Sequence, residues 1–300
     1  MELNPLRVFL TVANEKSFSR AAEKLLRTQP AISLAIQRLE AELGEKLIDR
    51  SAKDLLLTDA GAIVLDYARR FASLESDLEN ALAELRDKSA GRLAIGANES
   101  STLYLLDHIE RFRRRFPRVK VQIRRSLSSR IPAELIDGEL ELGILTYDPE
   151  DERLVTRVIY TDHLSFVVSP AHRLAARRQI SITELGDETF IAHNVVSPYR
   201  ALVIREFQRH KVPLRMDLEM PTVEAIRKMV QRNDGVAFLP RMVVEEEVRQ
   251  GILCEVAVTE MNVDRPIRLA YPARRALSHA AQAFLDMVVA AGENPKAADA

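Results

Sequence analysis

Between Ser17 and Leu43 the chain reads SFSRAAEKLLRTQPAISLAIQRLEAEL, and this stretch leaves few folds open. Its spacing predicts two short helices joined by a tight turn. Ser19 is placed to cap the first, which would run through Leu26 with Ala21, Ala22 and Leu25 on its buried, close-packing face. Arg27 and Thr28 break that pattern. Thr28 is suited to cap a second helix, Pro30 fits its first turn, and Gly44 can end it in a left-handed cap. Ile32, Ala35, Ile36, Leu39 and Leu43 recur at helical spacing and form an inner face. Gln29, Ser33 and Gln37 step by four along the opposite side, with Arg38 beside them. That is the layout of a helix-turn-helix whose second helix lies in a DNA major groove. The same periodicity also fits an all-α core whose polar face meets only water.

The flanks extend the pattern. Pro5–Asn14 reads as a helix with Leu6, Phe9, Leu10 and Ala13 inward, completing a three-helix core. Lys46–Arg50 and Leu55–Thr58 read as a two-stranded wing, with Arg50 and Lys53 placed to touch phosphates or a minor groove. Thr58 then caps a long helix from Asp59 to about Lys88. Val64, Tyr67, Phe71, Leu74, Leu78, Ala81 and Leu85 follow one another at spacings of three and four, a heptad seam. At 1.5 Å per residue the rod is roughly 45 Å long. It cannot bury its stripe alone, so pairing with the same helix of a second subunit is expected. Ser89, Ala90 and Gly91 read as a hinge-like break.

The strings TQPAIS, IQRLEAELGEKLIDR and LLLTDAG resemble the N-terminal domain of LysR-type transcriptional regulators. The resemblance follows the whole chain in length and order and is most specific between Ser17 and Gly61. It implies a mixed architecture in three parts: an all-α winged helix-turn-helix over 1–58, a coiled-coil linker helix over 59–90, and an effector-binding domain over 91–300. That last domain would hold two α/β subdomains resembling type 2 periplasmic binding proteins, one of 91–162 with 265–300, the other of 163–264. Gln29, Ser33 and Gln37 would then meet base edges, and Thr28, Arg38, Arg50 and Lys53 the DNA backbone. Pro30 would shape the start of the reading helix. Leu34 stands where many relatives carry a basic or polar side chain, so apolar contact is expected there. The resemblance further implies a homodimer, a dimer of dimers, contact with RNA polymerase, and a small-molecule inducer as the only ligand, with no other cofactor and no metal.

From Arg92 onward strands and helices alternate, which predicts a mostly parallel sheet covered on both faces. Such sheets bind ligands beyond the carboxyl ends of their strands, where helix N-termini aim free N–H groups outward. That rule selects Ser100, Ser101 and Thr102 after the first strand, Ser128 and Ser129 after the second, Thr146 after the third, and His193 and Thr222 in the second subdomain. Ser and Thr also cap helices with no ligand present. The resemblance adds that Ser100, Thr102, Ser128 and Thr222 match inducer-pocket positions. Glu99 would repel an anion there unless it points away.

The formal net charge is −1, and the first 58 residues hold nine Lys and Arg against eight Asp and Glu. A DNA binder of this kind must position its positive charge rather than accumulate it. Cys254 is the single cysteine, and the six histidines are scattered, so neither a disulfide framework nor a thiolate metal cluster is expected. Glycine-rich phosphate loops, HExxH and GxSxG are absent, which argues against an enzyme. No run is long and apolar enough to span a membrane, so a cytoplasmic, nucleoid-associated protein is expected. The competing reading is a solute-binding or sensor protein without DNA function. It accounts for everything after Gly91 and leaves the first 58 residues and the rod without a purpose.

Overall fold

A computed structural model of the chain describes residues 3–49, 55–86, 90–195 and 197–293. Three helices come first: α1 (Leu3–Glu15), α2 (Phe18–Lys24) and α3 (Gln29–Leu43). Leu6, Phe9, Val12, Ala21, Ile32, Ile36 and Leu39 close their shared core. Ser17, rather than Ser19, caps α2 by accepting from the Arg20 N–H at 3.3 Å, because the helix starts two residues earlier. Thr28 caps α3 by backbone position only, its hydroxyl making no capping bond, and Gly44 ends the helix at φ 74°. The turn places Leu26 in the left-handed region (φ 52°), where it stands 95% exposed.

Two short strands, β1 (Ile48–Asp49) and β2 (Leu56–Leu57), pair antiparallel as the base of the wing. Glu40 fixes this base. It is buried at the end of α3, and its carboxylate accepts from the backbone N–H groups of Leu47 and Ile48 at 3.0 and 3.4 Å and from Lys46 at 3.2 Å. Thr58 ties the other side, donating to the Lys46 carbonyl and accepting from the Gly61 N–H. A side chain at Gly61 would run into the Leu47 carbonyl, so glycine lets the next helix close against the wing.

That helix, α4 (Asp59–Arg86), is about 42 Å long at 1.5 Å per residue. Its first turns finish the N-terminal core through Val64, Leu65 and Ala68. Val64 therefore faces the α-helical core rather than the outer seam, and Ile63 takes its place outside. Tyr67, Phe71, Leu74, Leu78 and Leu82 continue that outer stripe, with Leu74 and Leu78 65% and 60% exposed. Arg50, Lys53 and the side chain of Leu85 lie outside the described residues, as do Ser89 and 294–300.

The remainder is α/β. In order it holds β3 (Ala90–Ala97), α5 (Glu99–Arg115), β4 (Arg118–Arg125), α6 (Ile131–Ile136), β5 (Leu142–Leu145) and β6 (Leu154–Val168), followed by β7 (Gln179–Ile180), β8 (Thr189–His193), α7 (Pro198–Arg209), β9 (Arg215–Met220) and α8 (Val223–Gln231), and finally β10 (Ala237–Pro240), α9 (Glu245–Arg249), β11 (Cys254–Val258), β12 (Asp264–Pro272) and α10 (His279–Glu293). Ala90 and Gly91 begin β3 instead of forming a break.

Sheet order is β4-β3-β5-β12-β6-β11-β7, with β10 also on β6. Among the described residues, β3–β4, β3–β5, β7–β11 and β8–β9 pair parallel, while β5–β12, β6–β12, β6–β10 and β6–β11 pair antiparallel. The expectation of a mostly parallel sheet is corrected to an even mixture. The cause is the pair of crossing strands: β6 runs from one subdomain into the other, pairing with β12 from Leu154 to His163 and with β10 and β11 thereafter. Leu93, Ile95, Phe112, Leu269 and Phe284 fill the core on one side of the crossing, and Phe166, Phe190 and Phe207 the core on the other.

The inner edge of α4 meets the first of these subdomains. Ser73 donates to the Gly138 carbonyl at 2.6 Å, Arg69 pairs with Glu139 at 3.3 Å, and Arg275 pairs with Asp77.

Burial pushes the Glu40 carboxyl up, but its backbone and Lys46 hydrogen bonds outweigh that and leave it below the usual glutamate range. A depressed folded-state value adds stability above the ordinary glutamate pKa, and that stability is lost as pH falls through the folded value. Thermal melts of the DNA-binding unit should therefore weaken below about pH 4–5 in the wild type. Glu40→Gln should be less stable by about 1–3 kcal/mol at neutral pH and show a shallower acid limb.

Candidate DNA-reading face and effector cavity

The reading face is built by the phase of α3. With Ile32, Ile36 and Leu39 buried, helical geometry turns Gln29, Pro30, Gln37 and Arg38 to solvent, and all four are exposed, as is Thr28. Ser33 is half-buried on the same side. Leu34 is 47% exposed beside them, and with Leu26 it gives the face an apolar element.

The second site is a cavity of about 720 Å³ between the two α/β subdomains. Of the residues selected from the sequence, Ser100, Ser128, Ser129, Thr146 and His193 line it. Ser101, Thr102 and Thr222 do not. Ser101 is fully buried in α5, and the Thr102 hydroxyl turns back to the Asn98 carbonyl at 2.8 Å. Thr222 caps α8, accepting from the Ala225 N–H at 3.1 Å. For Thr102 and Thr222 the first turn of the helix takes the hydroxyl that strand-end reasoning offers to a ligand, whereas the Ser101 hydroxyl is buried without a hydrogen-bond partner.

Glu99 resolves its own conflict. Its carboxylate reaches across the cleft, accepts from the Val223 N–H at the start of α8 at 3.0 Å, and lies 3.2 Å from Arg125 and 3.6 Å from His193. A second strap crosses at Tyr199, whose hydroxyl donates to the Thr146 carbonyl at 2.7 Å. The two subdomains are thus held together by groups from both walls.

Arg265 was not among the sequence-selected residues. It is 3% exposed, pairs with the equally buried Asp162 at 3.1 Å, donates to the Ser100 hydroxyl at 2.9 Å, and lies under the Tyr199 ring. A signal existed: Arg265 shares the inward phase of Ile267 and Leu269 along β12. Burial pushes the Asp162 carboxyl up and the Arg265 guanidinium down, each opposed by the attraction of the other. Phe190, Phe238, Leu164, Val203 and Met216 form the apolar end of the cavity and were likewise not anticipated.

Among the described residues no helix is long and apolar enough to cross a membrane, and no group of three or more His, Cys, Asp or Glu could hold a metal ion. Cys254, half-buried at the start of β11, packs against the second subdomain's core.

Comparison with known proteins agrees with this geometry. Residues 3–62 match the family described as "Bacterial regulatory helix-turn-helix protein, lysR family", and residues 86–293 match "LysR substrate binding domain". A "Probable RuBisCO transcriptional regulator" of Cyanophora paradoxa is 30% identical over 294 residues, covering 96% of this chain and 91% of that protein. Among solved structures, the LysR family regulator CbnR superposes with a TM-score of 0.75 at 19% identity, covering 97% and 99% of the two chains, and so shares the fold. The regulatory domain of CcmR from Synechocystis PCC6803, solved in complex with 2-PG, gives a TM-score of 0.62 at 26% identity, covering 68% of this chain and 98% of that one. The chain belongs to the LysR family: it is a DNA-binding transcriptional regulator with an effector-binding domain.

The Asp162–Arg265 pair gives a direct test of how the crossing strands are held. Asp162→Ala leaves a buried guanidinium unpaired and should lower effector-domain stability by about 3–5 kcal/mol. Asp162→Leu combined with Arg265→Met should recover most of that loss in denaturant titrations.

Proposed function

We propose that the regulator binds its operator as a homodimer, two copies of α3 entering successive major grooves, and that a small molecule in the inter-subdomain cavity alters that binding. Gln29, Ser33 and Gln37 meet base edges, where glutamine can pair with adenine through two hydrogen bonds. Thr28, with its hydroxyl free of capping, and Arg38 hold the sugar-phosphate backbone, joined by Arg50 and Lys53 from the wing. Pro30 and Leu34 add apolar contact to thymine methyl groups. Ser100, Ser128, Ser129, Thr146 and His193 serve the effector. Thr102 and Thr222 act behind them as helix-start supports.

One observation carries this reading: the exposed polar face of α3 and the exposed apolar stripe of α4 belong to one packed unit, joined through Val64 and Ala68. Covering the stripe with its symmetry mate duplicates the reader and sets its spacing. Pairing such dimers into a homotetramer and touching RNA polymerase at the promoter complete the proposed assembly, in the cytoplasm on the nucleoid. The relative's name, "Probable RuBisCO transcriptional regulator", and the 2-PG complex of CcmR support a metabolite-responsive role.

Fluorescence anisotropy on the gene's own upstream region tests the reader. Gln29→Ala should lower preference for the cognate site by about 1–3 kcal/mol and leave binding to random duplex nearly intact. Equal losses on both would exclude the base contact. Replacing Leu74 and Leu78 together with Glu should yield monomers in light scattering and abolish tight operator binding. A variant that stays dimeric would place the interface elsewhere.

A further inference from the structure

We infer that the effector is a mainly apolar molecule carrying one small head group, neutral or singly charged, and is not a compact polyanion. This rests on the cavity being the effector site, as proposed above.

The polar end of the cavity is already charge-compensated. Arg125 and His193 face Glu99, Arg200 pairs with Glu219, and Arg265 pairs with Asp162. Among the described lining residues, every basic side chain therefore has a carboxylate partner. Three helix starts at the cleft each give one N–H to a side chain, and α6, which follows Ser128 and Ser129, has no side-chain cap. Asn98 caps α5 by accepting from the Ser101 N–H at 2.8 Å, Ser197 caps α7 through the Arg200 N–H at 3.1 Å, and Glu99 takes the Val223 N–H of α8. A dianion would meet no basic side chain without a carboxylate partner and would share the cavity with the Glu99 carboxylate.

What remains for a head group is hydroxyl chemistry. The Ser128 hydroxyl accepts from the Asn98 amide at 2.8 Å, which leaves its own proton to donate. Thr146 and Ser129 bring further hydroxyls to the same wall. Two or three such donors suit a single carboxylate, a carbonyl or a hydroxyl.

Beyond that point the cavity runs into the second subdomain and changes character. Phe238, stacked on Phe190 with ring centroids 5.8 Å apart, forms the wall with Leu164, Val203 and Met216. Phe190, Leu164 and Val203 are buried in the second subdomain's core, so the half-buried Phe238 and Met216 present the wall and the core backs it. A cavity of about 720 Å³ is far larger than a two-carbon acid needs and falls in the range that encloses a drug-sized ligand. Displacing water from such walls favours a tail, with affinity growing about four-fold for each buried methylene.

Calorimetry on the full chain tests the assignment. The probes are straight-chain carboxylates from butanoate to decanoate and 1-naphthoate, set against malonate, inorganic phosphate and 2-PG. Affinity should climb by about four-fold per methylene until the chamber is full and then level off, while the compact anions bind far more weakly than decanoate. Met216→Trp should move the levelling point to shorter chains and Met216→Ala to longer ones, at unchanged melting temperature of the effector domain within a few degrees. Affinity independent of chain length, tighter binding of any compact anion than of the longest acid, an identical profile in both Met216 variants, or no binding by any probe would each overturn the inference. Ligand-free anisotropy on the upstream duplex separates the two readings. Failure to bind DNA would sink the proposed regulatory role and leave the chain-length profile standing, whereas a flat profile would sink only the effector class.

Discussion

Apolar surface on α4 is the constraint from which the architecture follows. One edge of the rod is used by its own chain: Val64 and Ala68 seal the three-helix core, and Ser73, Arg69 and Asp77 hold the first α/β subdomain. The other edge leaves Tyr67, Leu74, Leu78 and Leu82 in water. Fully burying a leucine is worth roughly 1.5–3 kcal/mol, so a row of them is a strong drive to pair. Because the same helix is packed against the DNA-binding core and bonded to the effector domain, any partner that covers the stripe receives both at fixed positions.

Charge in this molecule is placed rather than accumulated. Glu40 is buried so that backbone N–H groups of the wing can converge on it, which fixes the wing against the reading helix. Glu99 and Arg265 do related work in the cleft, one spanning the two subdomains and the other pinned where the crossing strands meet. These pairings let a chain of net charge −1 address a polyanion on one surface and exclude compact anions from an interior one.

Much of this was legible in the chain itself. The α3 face, the Pro30 start and the Gly44 stop follow from helical spacing and from backbone chemistry at single residues, and they depend on no distant partner. Three kinds of feature were not legible. Antiparallel crossing came from β6 and β12, whose partners lie over a hundred residues apart. Thr102 and Thr222 read as ligand groups because sequence does not say which hydroxyl a helix start will claim, and Ser101 because its full burial depends on packing around α5. The aromatic chamber was hidden because Phe190 and Phe238 read as ordinary strand residues until the fold sets them around a common space. Arg265 lies between these cases: its phase along β12 pointed inward, but its partner Asp162 sits on another strand.

Hydroxyl-radical footprinting of the full chain on its own upstream region addresses the central claim most directly, because it reports how many readers engage and how far apart. The account predicts two protected patches on one face of the duplex, separated by one helical turn or a multiple of it, that appear together as protein is added. A single patch, or two that fill independently, would contradict the duplicated reader held by a shared rod.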